Sequence, residues 1–316
     1  MKDWLLDFSI DSWKDIFLVV IPKIFVLFLL VFFLIITPAL MFIWSSEPDN
    51  FDIMSTVSLE HQEKHVSGIY TVSASIKLTD VLLNKSGGYL SNDIMPPSIF
   101  LDNIPAWELG VVEVQRAFLK TLREDLSRSQ SQSSENEQVV NAHTSYNNDH
   151  AKWLLPSSED KYSEANSFLK KYLKELQNPQ GNAKFYPRAD NLVDLLQAFS
   201  KRLGSTSQAL SESTSKTDWF LIDDNFYQSR GQTYAMLHIL KAVKVDFKDV
   251  LEGKNAMESL NQIIIELEDT QKSMYSPMIL NGDGFGIIPN HSLVMANYIS
   301  RANAAMIDMI NLLNKG

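Results

Sequence analysis

Cysteine is absent from this chain of 316 residues. The absence excludes disulfide bonds, thiol nucleophiles, iron-sulfur clusters and cysteine-based zinc sites. Positive charge is also scarce, because 28 Lys and Arg residues stand against 38 Asp and Glu residues, for a net charge of -10. Such a balance repels phosphate backbones and anionic lipid surfaces. We therefore expect no nucleic-acid partner.

The chain does contain one long apolar run. Residues 24–44 read IFVLFLLVFFLIITPALMFIW, 21 residues without a charged side chain. As a helix rising 1.5 Å per residue, this run matches the ~30 Å hydrocarbon core of a bilayer. A cleaved signal peptide has a shorter apolar region and a small-residue cleavage site, whereas SSEPDNFD follows here. We predict a transmembrane helix that is retained as an anchor.

The residues before the run predict its orientation. Residues 1–23 have an amphipathic, Trp-containing pattern, which indicates a segment at the cytoplasmic interface. Lys2, Lys14 and Lys23 precede the run, whereas the first basic residue after it is Lys64. The positive-inside rule therefore places the N-terminus in the cytoplasm and the rest of the chain outside. The alternative is the inverted topology, in which the bundle lies in the cytoplasm and its partners are soluble.

Beyond the anchor, apolar residues recur at helical spacing without convincing period-two alternation. We predict an all-α fold, with a linker over 45–58 and one soluble multi-helix bundle over 59–316. The run YAMLHILKAV is apolar on nearly every side, as in a central helix, and we expect its His238 to be a hydrogen-bonded core residue. Two ladders of four-three spacing predict bundle seams. They are Leu192, Leu196, Phe199, Leu203, Thr206 and Leu210, and Met295, Ile299, Ala302, Met306, Met309 and Leu313.

Three more helices are indicated between the linker and the first ladder. One is expected from about Leu59 to Asn84, and a second begins near Pro105 with Asn103 as its cap. A third begins at Ser157 or Ser158, before acidic residues. Between the second and third, residues 127–152 are rich in Ser, Gln and Asn and predict a long mobile polar loop.

The glycine-rich stretch NGDGFGIIPNHS near the C-terminal end matches no complete ligand-binding loop. It lacks the fifth and twelfth ligands of a calcium loop, the Lys of a phosphate loop and the strand that precedes a dinucleotide site. We expect a structural connection in which Phe285 and Ile288 fill the bundle and Asn290 caps the final helix. The alternative is a binding role for Asp283, Asn290 or His291.

The stretch IDDNFYQSRGQ is the other dense group of polar residues. Asp223 and Asp224 beside Arg230 fit an acid pair tuned by a cation. The structural interpretation is that one aspartate caps the helix while Arg230 bridges to it or to another helix. His61 and His65 are four residues apart, but no third ligand is nearby. The sequence therefore predicts no metal site and no cofactor.

Seven runs carry a family resemblance: GGYLSND, SRSQSQS, FYPRADNL, RLGSTSQ, IDDNFY, SPMILNG and NHSLVMANYISRANAA. They resemble an uncharacterised family of proteobacterial membrane proteins, domain of unknown function 2333. The resemblance covers nearly the whole chain after the anchor and implies a Gram-negative source, hence a periplasmic bundle on the inner membrane. It supplies no activity, ligand or catalytic residue. Because SRSQSQS belongs to it, the alternative to a mobile loop over 127–152 is a segment ordered against the bundle.

Two functional hypotheses follow. The first is a single-pass inner-membrane protein whose periplasmic bundle is a scaffold or adaptor for other cell-envelope components, without catalysis of its own. Its expected partners are the membrane and envelope proteins, and a homo-oligomer is compatible with it. The alternative is a periplasmic hydrolase acting on cell-wall or lipid material. Its acidic and histidine-containing cleft would gather Asp223, Asp224, Arg230, Asp283 and His291.

Overall fold

The structure is a computed structural model. It describes residues 20–57, 66–130, 132–216, 222–274, 276, 278–282 and 287–315, with only the backbone for 213–216. The predicted interfacial segment, apart from its last four residues, lies outside the described residues, as do the histidine pair at 61 and 65, Asp283 and Phe285.

Within these residues the fold is all-α, as predicted, with 10 helices and no strand. The helices are α1 (Ile21–Trp44), α2 (Ile69–Asn84), α3 (Asn103–Thr121), α4 (Glu137–Tyr146), α5 (Ser158–Gln177), α6 (Ala189–Lys216), α7 (Ile222–Asp246), α8 (Lys248–Gly253), α9 (Met257–Thr270) and α10 (His291–Asn314).

Helix α1 is long and apolar enough to cross a membrane, with 24 residues of which very few are buried. A π-helical turn over Phe32–Ile36 interrupts its regular hydrogen bonding just before Pro38. The Thr37 hydroxyl donates to the Phe32 carbonyl at 2.9 Å. The same carbonyl also accepts from the Thr37 backbone N–H, so Thr37 closes the π-helical turn with two bonds.

Helix α7 is the centre of the bundle, as its apolar sequence predicts. It packs against α2, α3, α6, α9 and α10, and residues 229–240 are buried without a break. Its closest neighbour is α3, and the two backbones meet at a pair of glycines. A Cβ on Gly231 would lie 2.0 Å from the Trp107 carbonyl oxygen, and one on Gly110 would lie 2.1 Å from that of Gln228. Only glycine fits at this crossing.

The two predicted seams are also confirmed, since every residue of both ladders is buried. The ladders lie on α6 and α10, which pack against each other. The Ser200 hydroxyl of α6 donates to the Asn303 side chain of α10 at 2.7 Å. Helical periodicity alone was enough to find these faces because each is a single uninterrupted stripe.

Two predicted helix starts need correction. Residues 66–68 are not helical, so α2 begins at Ile69. Gly68 has a φ of +88° and no side chain for capping; instead the Asp246 carboxylate of α7 accepts from the backbone N–H of Thr71 at 2.7 Å. At α3, the cap is Asp102 rather than Asn103. At α5, Ser157 is confirmed as the cap.

The tract predicted as a polar loop over 127–152 contains helix α4. The Asn136 side chain accepts from the backbone N–H groups of the first turn, which starts the helix. Val139, Ala142 and Tyr146 are fully buried along one face, and α4 packs on α5. Because tertiary burial of these few apolar residues overrides the polar average of the tract, composition alone missed the helix.

Candidate functional site at the junction of anchor and bundle

The linker that leaves α1 lies along α7 in a fixed register. Every second linker residue meets every fourth residue of the helix. The pairs are Glu47 with Arg230, Asp49 with Tyr234, and Phe51 with His238. An extended chain advances about 6.6 Å over two residues and a helix about 6.0 Å over four, so the two repeats match. Pro48 favours the extended conformation at the residue before it.

The first pair is a buried ion pair. Arg230 Nε lies 2.7 Å from Glu47 Oε1, and Nη2 lies 2.5 Å from Oε2. Its Nη1 donates to the carbonyls of Thr270 at 2.9 Å and Lys272 at 3.1 Å. The Arg230 side chain is 8% exposed. One guanidinium thus joins the linker, the central helix and the end of α9, and a buried charge of this kind is stable only while its partners stay in place.

The other two pairs extend the contact along α7. The Tyr234 hydroxyl donates to the Asp49 backbone carbonyl at 2.9 Å. The Phe51 ring stacks on the His238 ring at 3.7 Å between centroids, with 7° between their planes. Together with the ion pair, they hold the linker along two turns of α7. A tether free to move would make none of these contacts in register.

His238 is buried as predicted, but the expected hydrogen bonds are not formed. Its exposure is 0%, and neither ring nitrogen has a hydrogen-bond partner. Burial, reinforced by the charge of Lys241, lowers the pKa of His238 to about 3. The ring is therefore neutral at any physiological pH, and it contributes a flat apolar face to the stack with Phe51.

The end of α1 is held by the loop that follows α2. A Cβ on Gly87, which has a φ of +85°, would lie 2.8 Å from the Trp44 ring. Beneath this loop the fully buried Glu108 accepts from the backbone N–H groups of residues 90–91, both at 2.8 Å. Lys85 Nζ lies 2.6 Å from the same carboxylate. Burial raises the pKa of Glu108 against the opposing effect of Lys85. The loop under Trp44 is thus fixed by the bundle core.

Two pockets flank Arg230. One of about 510 Å³ is lined by residues 45–50 of the linker together with Tyr227 and Gln271. The other, of about 200 Å³, is lined by Phe226, Met295 and Tyr298 among others, and it also includes His291. Two of the five predicted cleft residues, Arg230 and His291, therefore share one pocket. In the described part of the chain no cluster of three His, Asp or Glu side chains could hold a metal ion.

His291 begins α10 and closes the connection from α9. Its Nδ1 accepts from the Leu280 N–H at 2.9 Å, and its own N–H donates to the Leu280 carbonyl at 2.9 Å. In the neutral ring the proton then lies on Nε2. Burial lowers the pKa of His291. Since Nδ1 is occupied and Nε2 is protonated, a base role would require breaking the bond to Leu280. Asn290 caps α10 as predicted, whereas Ile288, expected to fill the bundle, is 58% exposed.

The predicted acid pair does not reach Arg230. Asp223 and Asp224 lie in the first turn of α7, and neither lines a pocket with Arg230. Burial raises the pKa of both, and the charge of Asp102 raises both further. Asp283, the fifth predicted residue, lies outside the described residues.

Comparison with known protein families identifies the family of this chain. The family model described as "Uncharacterized protein conserved in bacteria (DUF2333)" matches residues 18–216 and 211–316. The chain belongs to this family. No curated protein and no solved structure matches the chain. For this DUF2333 chain, the functional argument therefore depends on its own geometry.

The linker side of the junction was not predicted from the sequence. The sequence places Glu47 and Phe51 in a polar linker, and it pairs Arg230 with an aspartate of its own helix or with another helix. Two signals were present: Pro48, which favours an extended chain, and one large aromatic residue in an otherwise polar stretch. Neither signal identifies α7 as the contact surface.

Proposed function

We propose that this protein is a single-pass bacterial inner-membrane protein that presents its helical bundle in the periplasm as a scaffold for other envelope proteins. Membrane attachment is supported by α1. The cytoplasmic N-terminus is supported by the lysines that precede it and by the long interval before Lys64. In this proposal the bundle binds its partners without catalysing a reaction.

The docked linker is the observation that carries the proposal. A scaffold has to present its binding surfaces at a fixed height and angle above the membrane. A flexible linker would let the bundle rotate, whereas the contacts of Glu47, Asp49 and Phe51 with α7 tie its central helix to the anchor. The buried Arg230 also ties the end of α9 to the same point.

Orientation is tested by reporter fusions. Alkaline phosphatase fused after Lys64 and at Gly316 is expected to be active at both positions, because the enzyme folds only outside the cytoplasm. Inactivity at both positions, with a cytoplasmic reporter active there, would overturn the periplasmic placement.

The scaffold role is tested by photo-crosslinking in intact cells. A photoreactive amino acid at Ile265 of α9 or Ile307 of α10, both about half exposed, is expected to capture envelope proteins. The same label in a Glu47→Ala variant is expected to capture less, because the freed linker no longer orients the bundle. A buried position such as Ile299 is the matched control. Equal capture by the native chain and by Glu47→Ala would contradict the claim that the docked linker has to orient the bundle. Capture of lipid alone would contradict the scaffold role.

A hydrolase is the second candidate, favoured by the pocket that Arg230 and His291 share. Arg230 would bind an anionic group of cell-wall or lipid material after release from Glu47, and His291 would act after release from Leu280. The test is turnover of labelled envelope fractions by the purified chain. The hydrolase requires that His291→Gln abolish turnover while leaving the circular dichroism spectrum unchanged. Absence of turnover in the native chain would exclude it.

A further inference from the structure

Exposed apolar side chains of the bundle are concentrated in three segments. Within the described residues outside α1, every large hydrophobic residue that is more than half exposed lies at 94–100, 153–155 or 287–294. The extremes are Leu155 at 84% and Ile287 at 103%. The set is Ile94, Met95, Ile99, Phe100, Trp153, Leu154, Leu155, Ile287, Ile288 and Val294. Scattered exposed hydrophobic residues are ordinary, but such a concentration indicates a surface that is covered in the working protein.

The first two segments lie beside the end of the anchor. Residues 94–100 belong to the loop after α2, and the start of this loop holds the Trp44 ring against Gly87. The same loop is bonded to the connection between α4 and α5. The Tyr89 hydroxyl donates to the His150 carbonyl at 2.8 Å, and the Asn92 side chain donates to the Lys152 carbonyl at 3.1 Å. Residues 153–155 follow directly.

The third segment lies at the same end of the bundle. The linker meets α7 first at Arg230 and last at His238, so the turns of α7 before Arg230 point toward the anchor. The Phe226 ring, in those turns, lies 6.4 Å from the ring of His291, the first residue of α10. The connection from α9 to α10 also begins there, because Arg230 binds the Thr270 carbonyl. Residues 287–294 therefore share the anchor-side end with the other two segments.

We infer that these three segments insert into the interfacial layer of the same bilayer that α1 crosses, so that the bundle rests directly on the lipid. The bilayer is what covers these segments, because Trp44 and the loop under it already lie where the anchor leaves the membrane. Trp153 and Phe100 are residue types suited to that layer. The inference rests on α1 as the anchor and not on the scaffold role.

The charges at this end are mixed. Asp102, Asp223 and Asp224 lie at the anchor-side ends of α3 and α7, and Lys152 and Lys272 lie beside the segments at 153–155 and 287–294. Headgroup charge therefore supplies no strong net attraction, and contact has to be made by the apolar side chains. Consequently the contact is expected to survive high salt, which distinguishes it from electrostatic surface binding.

The absence of cysteine allows a direct test on the full chain. Single substitutions Leu155→Cys and Ile287→Cys place an environment-sensitive fluorophore at side chains whose exposure leaves the fold undisturbed. Ile307→Cys on α10, about half exposed, is the matched control outside the three segments, and Leu34→Cys in α1 reports the anchor. Each variant is reconstituted in phosphatidylcholine vesicles with and without bromine on the acyl chains.

Labels at 155 and 287 are expected to emit at shorter wavelength and to lose intensity in brominated lipid, as the label at 34 in the anchor does. The label at 307 is expected to show neither the wavelength shift nor the quenching. Quenching at 34 without quenching at 155 and 287 would overturn the inference and leave the anchor intact. Blue-shifted labels that brominated lipid does not quench would also overturn it, since protein rather than lipid would then cover the surface. Failure of quenching at 34 would refute the anchor itself, and with it both proposals.

Discussion

His238, which has no hydrogen-bond partner at the junction, should make the stability of the chain depend on pH. In His238→Phe, an aromatic ring that cannot titrate replaces one that has no hydrogen-bond partner. The stacking surface for Phe51 is kept, and no polar contact is lost. At neutral pH we therefore expect the variant to be at least as stable as the native chain, since burying an unpaired polar group is costly.

The magnitude at acid pH follows from the two protonation states. The pKa of His238 is about 3 when folded, against 6.5 for the exposed group. The unfolded chain thus binds a proton first as the pH falls below 6.5, and the folded state loses stability. Each pH unit between the two values is worth about 1.4 kcal/mol, so lowering the pH from 7 to 5 should cost the native chain about 2 kcal/mol that His238→Phe does not lose.

A neighbouring carboxylate acts in the opposite direction. Burial raises the pKa of Asp246 from 3.8 to about 6, against the effect of its hydrogen bonds to Thr71. Its folded form takes up a proton before the unfolded form, so this group adds stability as the pH falls through 6. The total pH dependence of the native chain therefore mixes two opposing contributions. Because Asp246 is present in both chains, the difference between native and His238→Phe isolates the histidine.

The assay is urea unfolding of the full chain in zwitterionic detergent, followed by circular dichroism at pH 7 and pH 5. Tyr234→Phe is the control, since it removes a neighbouring polar group that does not titrate in this range. The stability difference between His238→Phe and the native chain should grow on acidification, whereas that for Tyr234→Phe should not. A difference for His238→Phe that is the same at both pH values would refute the conclusion that His238 is buried and neutral.

Three further substitutions test the packing. Gly231→Ala places a Cβ 2.0 Å from the Trp107 carbonyl oxygen and is expected to cost about 3 kcal/mol in urea unfolding. Gly204→Ala is the control, because the nearest atom to its Cβ is 3.6 Å away, and it should stabilise the chain by up to about 1 kcal/mol. Equal effects of the two substitutions would contradict the close crossing of α3 and α7. Glu47→Ala leaves a buried guanidinium without its carboxylate and should cost roughly 3–5 kcal/mol, with faster proteinase K cleavage between the anchor and the bundle as the direct readout. Asp246→Ala removes the acceptor for the first turn of α2 and should cost about 1 kcal/mol at pH 5 and less at pH 7, where burial disfavours the ionised carboxylate, measured in the same unfolding assay.

The helical faces were predictable because they are local. A residue on the seams of α6 and α10 is recognised by neighbours three and four positions away, and both seams are buried throughout. The central position of α7 was recognised in the same way, from an apolar surface on every side. Helix α4 was missed because only a few apolar residues in a polar tract stabilise it, and their contribution exists only when α5 lies opposite.

The junction was not predictable because its register is non-local. Arg230 is recognisable in the sequence as a charge within a helix, and His291 as a histidine at a helix start, and both line one pocket. The partner of Arg230, however, is separated from it by 183 positions in the sequence. The match between every second residue of the linker and every fourth residue of α7 becomes visible only when the two segments are adjacent. The sequence therefore predicts the bond from Arg230 to another helix, which the Thr270 carbonyl at the end of α9 accepts, but not its ion pair with Glu47.

The docked linker and the apolar segments constrain different motions of the bundle, and they can be separated by mutation. Glu47→Ala frees the linker but leaves the three segments at the bilayer, so the bundle keeps its height and gains some rotation. Leu155→Asp with Ile287→Asp lifts those segments but leaves the linker docked, so the bundle tilts with the anchor. Fluorescence anisotropy of a label at residue 307, in vesicles, should therefore fall modestly in each variant and most strongly when the three substitutions are combined. If Glu47→Ala alone gives the full loss, the linker is the sole constraint and the lipid contact has no mechanical role.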